Sequence, residues 1–118
     1  MILRLFSLAA MAAAIAASAF SEPRIALVIG NSDYTVERWK LDNPVRDARL
    51  MRAALKDLGF EVEVVLDADE DAMEDAFARF GSRLKEAGRE ATGFFFFAGH
   101  GVQSEGLNYL IPVDTVAY

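Results

Sequence analysis

The chain has 118 residues, of which 53% are apolar, so it is long enough for one domain with its own core and too short for two. Its formal net charge of −6 argues against a nucleic-acid-binding surface, because phosphate contacts need clustered basic side chains. The absence of cysteine excludes disulfides, and a single histidine without cysteine argues against a structural zinc site.

Residues 1–21 have the pattern of a secretory signal peptide. Arg4 precedes an uncharged run rich in leucine and alanine, and Ala17-Ser18-Ala19 forms a small-x-small cleavage pattern. The alternative is a membrane anchor, but the run is diluted by alanine and is at the lower length limit for crossing a bilayer. We therefore expect an exported, periplasmic or secreted protein without a stable membrane span after cleavage, and one domain over residues 22–118.

The first predicted strand and helix follow this leader. The run "RIALVIGN", residues 24–31, is β-branched and apolar, which is typical of a strand buried on both faces. Asn43 and Pro44 then form an N-cap and first-turn pair. Apolar residues recur at helical spacing until Gly59 ends the pattern. The stripe of this helix is Val45, Ala48, Met51, Leu55 and Leu58.

The second half of the chain repeats this order. "FEVEVVL", residues 60–66, predicts a strand, and a helix capped by Asp69 or Asp71 follows and ends at Gly88. "TGFFFFA" predicts a third strand, and "LNYLIPV" a short extended piece. The predicted stripe of the second helix is Met73, Phe77, Phe80, Leu84 and Ala87.

Alternation of strands and helices predicts an α/β fold, a doubly wound and mostly parallel sheet with helices on both faces. Ligands bind such sheets beyond the carboxyl ends of the strands, where the loops after Gly30 and Phe97 emerge. Only three parallel strands are predicted. The aromatic strand is then left at a sheet edge, so we expect the chain to fold poorly by itself and to pair with other chains.

Several common ligand sites do not fit the sequence. Gly99-His100-Gly101 begins like a dinucleotide fingerprint, but Ser104 stands where a third glycine is required. The run of Asp67, Asp69 and Asp71 imitates a calcium loop without its glycine or its bidentate glutamate. Neither a phosphate-binding loop nor a serine nucleophile elbow is present. We predict no metal and no cofactor.

His100, the one histidine, is the strongest candidate for a functional side chain. It is either a hydrogen-bonded polar loop residue or part of an active site. Its flanking glycines let the backbone pass close to a ligand and leave the Gly101 N–H unobstructed. The position also follows the aromatic strand, which we expect to be central in the sheet. These features favour function.

The runs "RIALVIGN", "LDNPVRDARLMRAALKDLGFEVEVVLDA", "FFFFAGHGVQ" and "LNYLIPVD" together carry a family resemblance. They resemble the amino-terminal half of the bacterial caspase-like peptidases, of the caspase and metacaspase superfamily. The similarity extends from Arg24 to Asp114, and it implies that the three predicted parallel strands form an incomplete caspase-like sheet. It implies a cysteine endopeptidase in which His100 is the catalytic histidine and the Gly101 N–H binds the oxyanion.

The resemblance also implies a pocket for the substrate residue before the cut, formed in part by Asp47 and Ala98. In metacaspases the corresponding aspartate selects Arg or Lys, so we expect a protein or peptide substrate with a basic residue there. Animal caspases instead place an arginine six residues before that aspartate, where this chain has Leu41. Viewed without the family, Asp47 is a first-turn acid that stabilises the helix dipole.

The nucleophile is the largest departure from the family pattern. Caspase-type cysteines follow the histidine by about 50 residues. We therefore expect the cysteine beyond Tyr118, with the sequence representing a fragment of a longer gene product. A catalytically inactive binding or regulatory module of the same fold is the alternative. A receiver-like or small-ligand α/β domain is a third class, but it leaves Gly99-His100-Gly101 without a role.

Overall fold

The computed structural model describes residues 22–117, so the predicted signal peptide lies outside the described residues. A short 3-10 turn at Glu37–Trp39 lies between the first strand and the first helix. No helix in residues 22–117 is both long enough and apolar enough to span a bilayer. The strands and helices are β1 Arg24–Gly30, α1 Pro44–Asp57, β2 Glu61–Leu66, α2 Glu70–Ala87, β3 Thr92–Ala98, β4 Gly101–Ser104 and β5 Leu107–Leu110.

The main sheet is parallel and has the order β2-β1-β3. The chain moves from β1 to β2 on one side and returns to the other side of β1 for β3. One face of the sheet packs on α1 and the other on α2, which confirms the doubly wound α/β fold with helices on both faces. The α1-side cluster contains Ala26, Val28, Ala48 and Leu55, and the α2-side cluster contains Leu27, Ile29, Ala68, Met73 and Ala76.

The middle strand of these three is β1, not β3. All of β1 except Arg24 is buried, whereas Phe94 and Phe95 of β3 are 38% and 39% exposed. Within residues 22–117 β3 pairs with β1 alone, so it lies at the sheet edge, as expected from three predicted strands, and not at the centre. Its apolar composition made the strand look buried, but it forms the sheet edge.

The predicted helix boundaries are confirmed, and one cap has an unexpected acceptor. Asp69 caps α2 by accepting the Ala72 N–H at 2.8 Å. Asn43 precedes α1 as predicted, but its side chain makes no capping hydrogen bond. Instead, Ser32 Oγ, from the loop after β1, accepts the Val45 N–H at 3.1 Å. The start of α1 is thus tied to the carboxyl end of β1.

Gly30 lets this end of β1 approach α1 closely. A Cβ at this position would lie 2.6 Å from the Pro44 carbonyl oxygen and 2.7 Å from Ala48 Cβ. No side chain fits there without moving the helix, since the nearest atoms include backbone.

Residues 101–110 form an antiparallel β4-β5 hairpin beyond the main sheet. The segment after it, residues 111–114, crosses the carboxyl ends of the strands. Its Val113 N–H donates to the Ala68 carbonyl, and its Val113 carbonyl accepts the Thr35 N–H, at 2.9 and 2.8 Å. This segment therefore links the loops after β1 and β2.

Candidate active site

The loops that follow β1 and β3 meet at the carboxyl edge of the sheet. The Asn31 N–H donates to the Ala98 carbonyl at 2.8 Å. Since β2 and β3 lie on opposite sides of β1, this edge is the switch point at which doubly wound folds bind ligands. His100 lies here, as the sequence predicts.

Two polar side chains hold the loop after β1 in place. Asn31 is fully buried, and its Oδ1 accepts the Ala68 N–H at 2.8 Å while its Nδ2 donates to the Ile111 carbonyl at 3.3 Å. Asp67 has a φ of +51° and accepts the N–H groups of Ser32 and Asp33, both at 2.9 Å. The loop is thus fixed by hydrogen bonds to groups distant in sequence.

The imidazole of His100 is oriented by the same loop. Its Nε2 lies 2.8 Å from the Trp39 carbonyl oxygen. Because a carbonyl oxygen only accepts hydrogen bonds, Nε2 carries the proton, and in the neutral ring Nδ1 is the nitrogen that takes up a second one. The rings of Tyr34 and His100 pack in a T-shaped arrangement, with ring centroids 4.8 Å apart and an angle of 69° between planes.

The backbone of His100 is held at both of its polar groups. Its N–H donates to Tyr34 Oη at 2.9 Å, and its carbonyl accepts the Ile111 N–H at 3.0 Å. Gly99 allows this arrangement, because a Cβ there would lie 2.8 Å from both Tyr34 Oη and Phe97 Cζ. The ring and the backbone of His100 are therefore both constrained.

The hairpin register sets the direction of the Gly101 N–H. Gly101 stands opposite Leu110, and the preceding residues, His100 and Ile111, are linked through backbone groups. Hydrogen-bonded and non-hydrogen-bonded pairs alternate along an antiparallel ladder. Gly101 and Leu110 therefore form a non-hydrogen-bonded pair, and the Gly101 N–H points away from β5, beside His100.

The two predicted pocket residues lie on different elements. Ala98 ends β3, is half-buried, and is joined to Asn31 through its carbonyl. Asp47 lies in the first turn of α1 and is exposed. Within residues 22–117 its carboxylate makes neither a hydrogen bond nor an ion pair. A role for Asp47 and Ala98 in one pocket stays a prediction.

Lys40 forms two ion pairs beside the turn that carries the Trp39 carbonyl. Lys40 Nζ lies 3.0 Å from Glu37 Oε2 and 3.2 Å from Asp33 Oδ1. The hydrogen bond that Lys40 donates to Glu37, followed by the one that it donates to Asp33, raises the pKa of Lys40 above its ordinary value. Lys40 therefore stays protonated over the physiological range and offsets the two acids next to Trp39.

Sequence reasoning missed Tyr34 and Trp39. Tyr34 could have been noticed as an aromatic residue in a polar loop, and it is fully buried. Trp39 acts through its carbonyl, which has no signature in the sequence. No cluster of three or more metal-binding side chains occurs among the described residues.

Comparison with protein families assigns this chain to a known family. The model of the caspase domain, peptidase C14, matches residues 23–118. The chain belongs to the caspase-domain family. Its partly complete parallel sheet with helices on both faces is an amino-terminal portion of that fold.

Two relatives of the caspase-domain chain come from mammals. The human mucosa-associated lymphoid tissue lymphoma translocation protein 1 is 33% identical over 94 residues, and the mouse homologue matches equally. The aligned region is 80% of this chain and 11% of each relative. The chain thus corresponds to a small part of these proteins, and family membership associates it with peptidase-type or related function.

Proposed function

We propose that the domain is the amino-terminal part of a cysteine-type endopeptidase in which His100 is the general acid–base. The nucleophilic cysteine lies outside the printed sequence, which contains none. The Gly101 N–H is the oxyanion donor, and Asp47 and Ala98 contribute to the pocket for a basic substrate residue. We further propose that residues 1–21 direct export, so that the enzyme acts in the periplasm or outside the cell.

The oriented imidazole of His100 is the observation that carries this proposal. A general base must present one nitrogen to its partner, and the Trp39 carbonyl holds the proton on the other. Nucleophile, base and orienting group form the usual arrangement for an activated thiol. Here the orienting group is a backbone carbonyl.

The reaction follows from these roles. His100 takes the thiol proton, and the thiolate attacks the carbonyl carbon of the scissile peptide, forming a C–S bond and an oxyanion near the Gly101 N–H. When the C–N bond breaks, the imidazolium gives its proton to the departing amine. Water then loses a proton to the imidazole and attacks the acyl-enzyme, which releases the carboxylic acid and the thiol.

A catalytically inactive binding or regulatory module is the second candidate. The two functions separate in one measurement, since a module without a nucleophile binds peptides but does not cleave them.

His100→Ala tests the proposed enzyme. In the protein that includes the cysteine, turnover should fall by roughly two to four orders of magnitude, the usual contribution of a positioned proton-transfer group. The fold should be retained, because His100 lies in a loop between glycines. Peptide cleavage and thermal unfolding are measured together. Normal cleavage by a folded His100→Ala variant would contradict the assignment, and loss of folding would favour a structural histidine.

A further inference from the structure

The hydroxyl of Tyr34 occupies a position that a sheet hydrogen bond would normally fill. Extending the β4-β5 ladder by one pair places His100 opposite Ile111. The Ile111 N–H donates to the His100 carbonyl at 3.0 Å, as expected for a hydrogen-bonded pair. The reciprocal bond is absent from this pair. The His100 N–H instead donates to Tyr34 Oη, which donates to the Ile111 carbonyl, both at 2.9 Å.

This insertion joins three segments at one oxygen atom. Tyr34 belongs to the loop after β1, His100 to the loop after β3, and Ile111 to the segment after β5. The hydroxyl uses its donor and an acceptor site in these bonds. Tyr34 is fully buried, so water does not readily replace its hydroxyl.

The same residue also limits the rotation of the imidazole. The Tyr34 ring packs against the ring of His100 in a T-shaped arrangement at a centroid distance of 4.8 Å. Five residues further on, the Trp39 carbonyl accepts from Nε2. The loop after β1 therefore determines both the plane of the His100 imidazole and the position of the His100 backbone. This arrangement needs a glycine at position 99, since a Cβ there would lie too close to the Tyr34 hydroxyl.

We propose that Tyr34 is a positioning residue for the histidine, acting through its hydroxyl on the His100 backbone and through its ring on the imidazole plane. The proposal rests on the proposed function in one respect, namely that His100 is the acid–base. The positioning itself is independent of whether the chain catalyses a reaction. It can therefore be measured without a substrate.

The first test uses nitrogen NMR of the imidazole, because His100 is the one histidine of the printed chain. The wild type should show the tautomer protonated at Nε2. Tyr34→Phe keeps the ring and removes the hydroxyl, so the His100 amide should exchange about two- to tenfold faster, and the share of the other tautomer should rise. Tyr109→Phe is the matched control, since Tyr109 is 48% exposed on β5.

The second test uses the protein that includes the cysteine. Tyr34→Phe should lower kcat about two- to tenfold at unchanged KM, whereas Tyr109→Phe should leave both at wild-type values. If Tyr34→Phe does not fold, Gly99→Ala, which pushes on the hydroxyl from the other side, should produce the same imidazole change. A folded Tyr34→Phe variant with wild-type amide exchange, tautomer and kcat overturns the proposal. A changed imidazole spectrum together with full activity of His100→Ala supports the positioning and rejects the proposed function.

Discussion

Two residues of the loop after β1, Tyr34 and Trp39, orient His100. The histidine itself is marked by its flanking glycines and by its place after an apolar strand. Its partners are not marked, because Trp39 contributes a backbone carbonyl from 61 positions away. Tyr34 contributes a hydroxyl from 66 positions away. Contacts of this range depend on the path of the loop after β1, which local sequence patterns do not determine.

Asp47 is the residue on which the proposed specificity depends. In the protein that includes the cysteine, cleavage after Arg should be faster than after Asp in matched peptides, since a carboxylate pairs with guanidinium. Asp47→Asn should lower kcat/KM for the Arg peptide by about ten- to a hundredfold, the range for a hydrogen bond to a charged group.

Asp57→Asn is the control for Asp47, because it makes the same change of charge at the exposed other end of α1. It should leave kcat/KM near the wild-type value. Faster cleavage after Asp by the unmodified enzyme would reject Asp47 as the residue that selects basic substrates.

The helices and the parallel strands could be predicted because their signals are local. Asn43-Pro44 and Gly59 bound α1, and Asp69 and Gly88 bound α2. Of the β4-β5 hairpin, the sequence predicts only β5, as a short extended piece. Its two turn residues are Glu105 and Gly106, with φ of +50° and +78°. Glutamate rarely adopts a positive φ, so the pair does not resemble a common hairpin turn.

The cap of α1 gives an element-level prediction. Ser32→Ala removes the oxygen that accepts the Val45 N–H and should destabilise the domain by about 0.5–2 kcal/mol. Asn43→Ala should destabilise the domain by at most roughly a few tenths of a kcal/mol, because the Asn43 side chain makes no capping hydrogen bond. Urea unfolding of both variants measures the difference in the free energy of unfolding, provided that the dependence on urea concentration has the same slope in both. An equal loss in both would contradict the assignment of Ser32, in place of Asn43, as the residue that caps α1.

Export is the prediction that concerns the leader of the whole molecule. Expressed in a secreting bacterium, the chain should lose its first 19 residues after the Ala17-Ser18-Ala19 pattern. Intact mass and cell fractionation measure the outcome. Ala19→Phe places a large residue at the cleavage site and should accumulate the uncleaved form. Uncleaved wild-type chain retained in the membrane fraction would favour the anchor.

The whole sheet combines a well-buried centre with an apolar edge. β1 is covered on both faces and paired on both sides, which its β-branched composition predicted. β3 is equally apolar, yet in the described residues it has one neighbouring strand. Strand composition shows that a segment needs burial but not which chain provides it. For this reason composition alone predicts that β3 is a strand but does not say whether it lies at the centre or at the edge of the sheet.

The β3 edge should make the printed chain associate with itself. The strand "TGFFFFA" has no charged residue or proline that would block pairing through its open backbone groups. Sedimentation velocity over a range of concentrations should therefore show reversible growth in size. Phe94→Lys, which places a charge on the edge, should reduce this association.

Leu50→Lys is the control, since it adds the same charge at a 61% exposed position on α1 and should have little effect on the association. Equal effects of the two lysines would indicate general charge repulsion instead of strand pairing. A monomeric, sharply melting wild-type chain would reject edge association altogether.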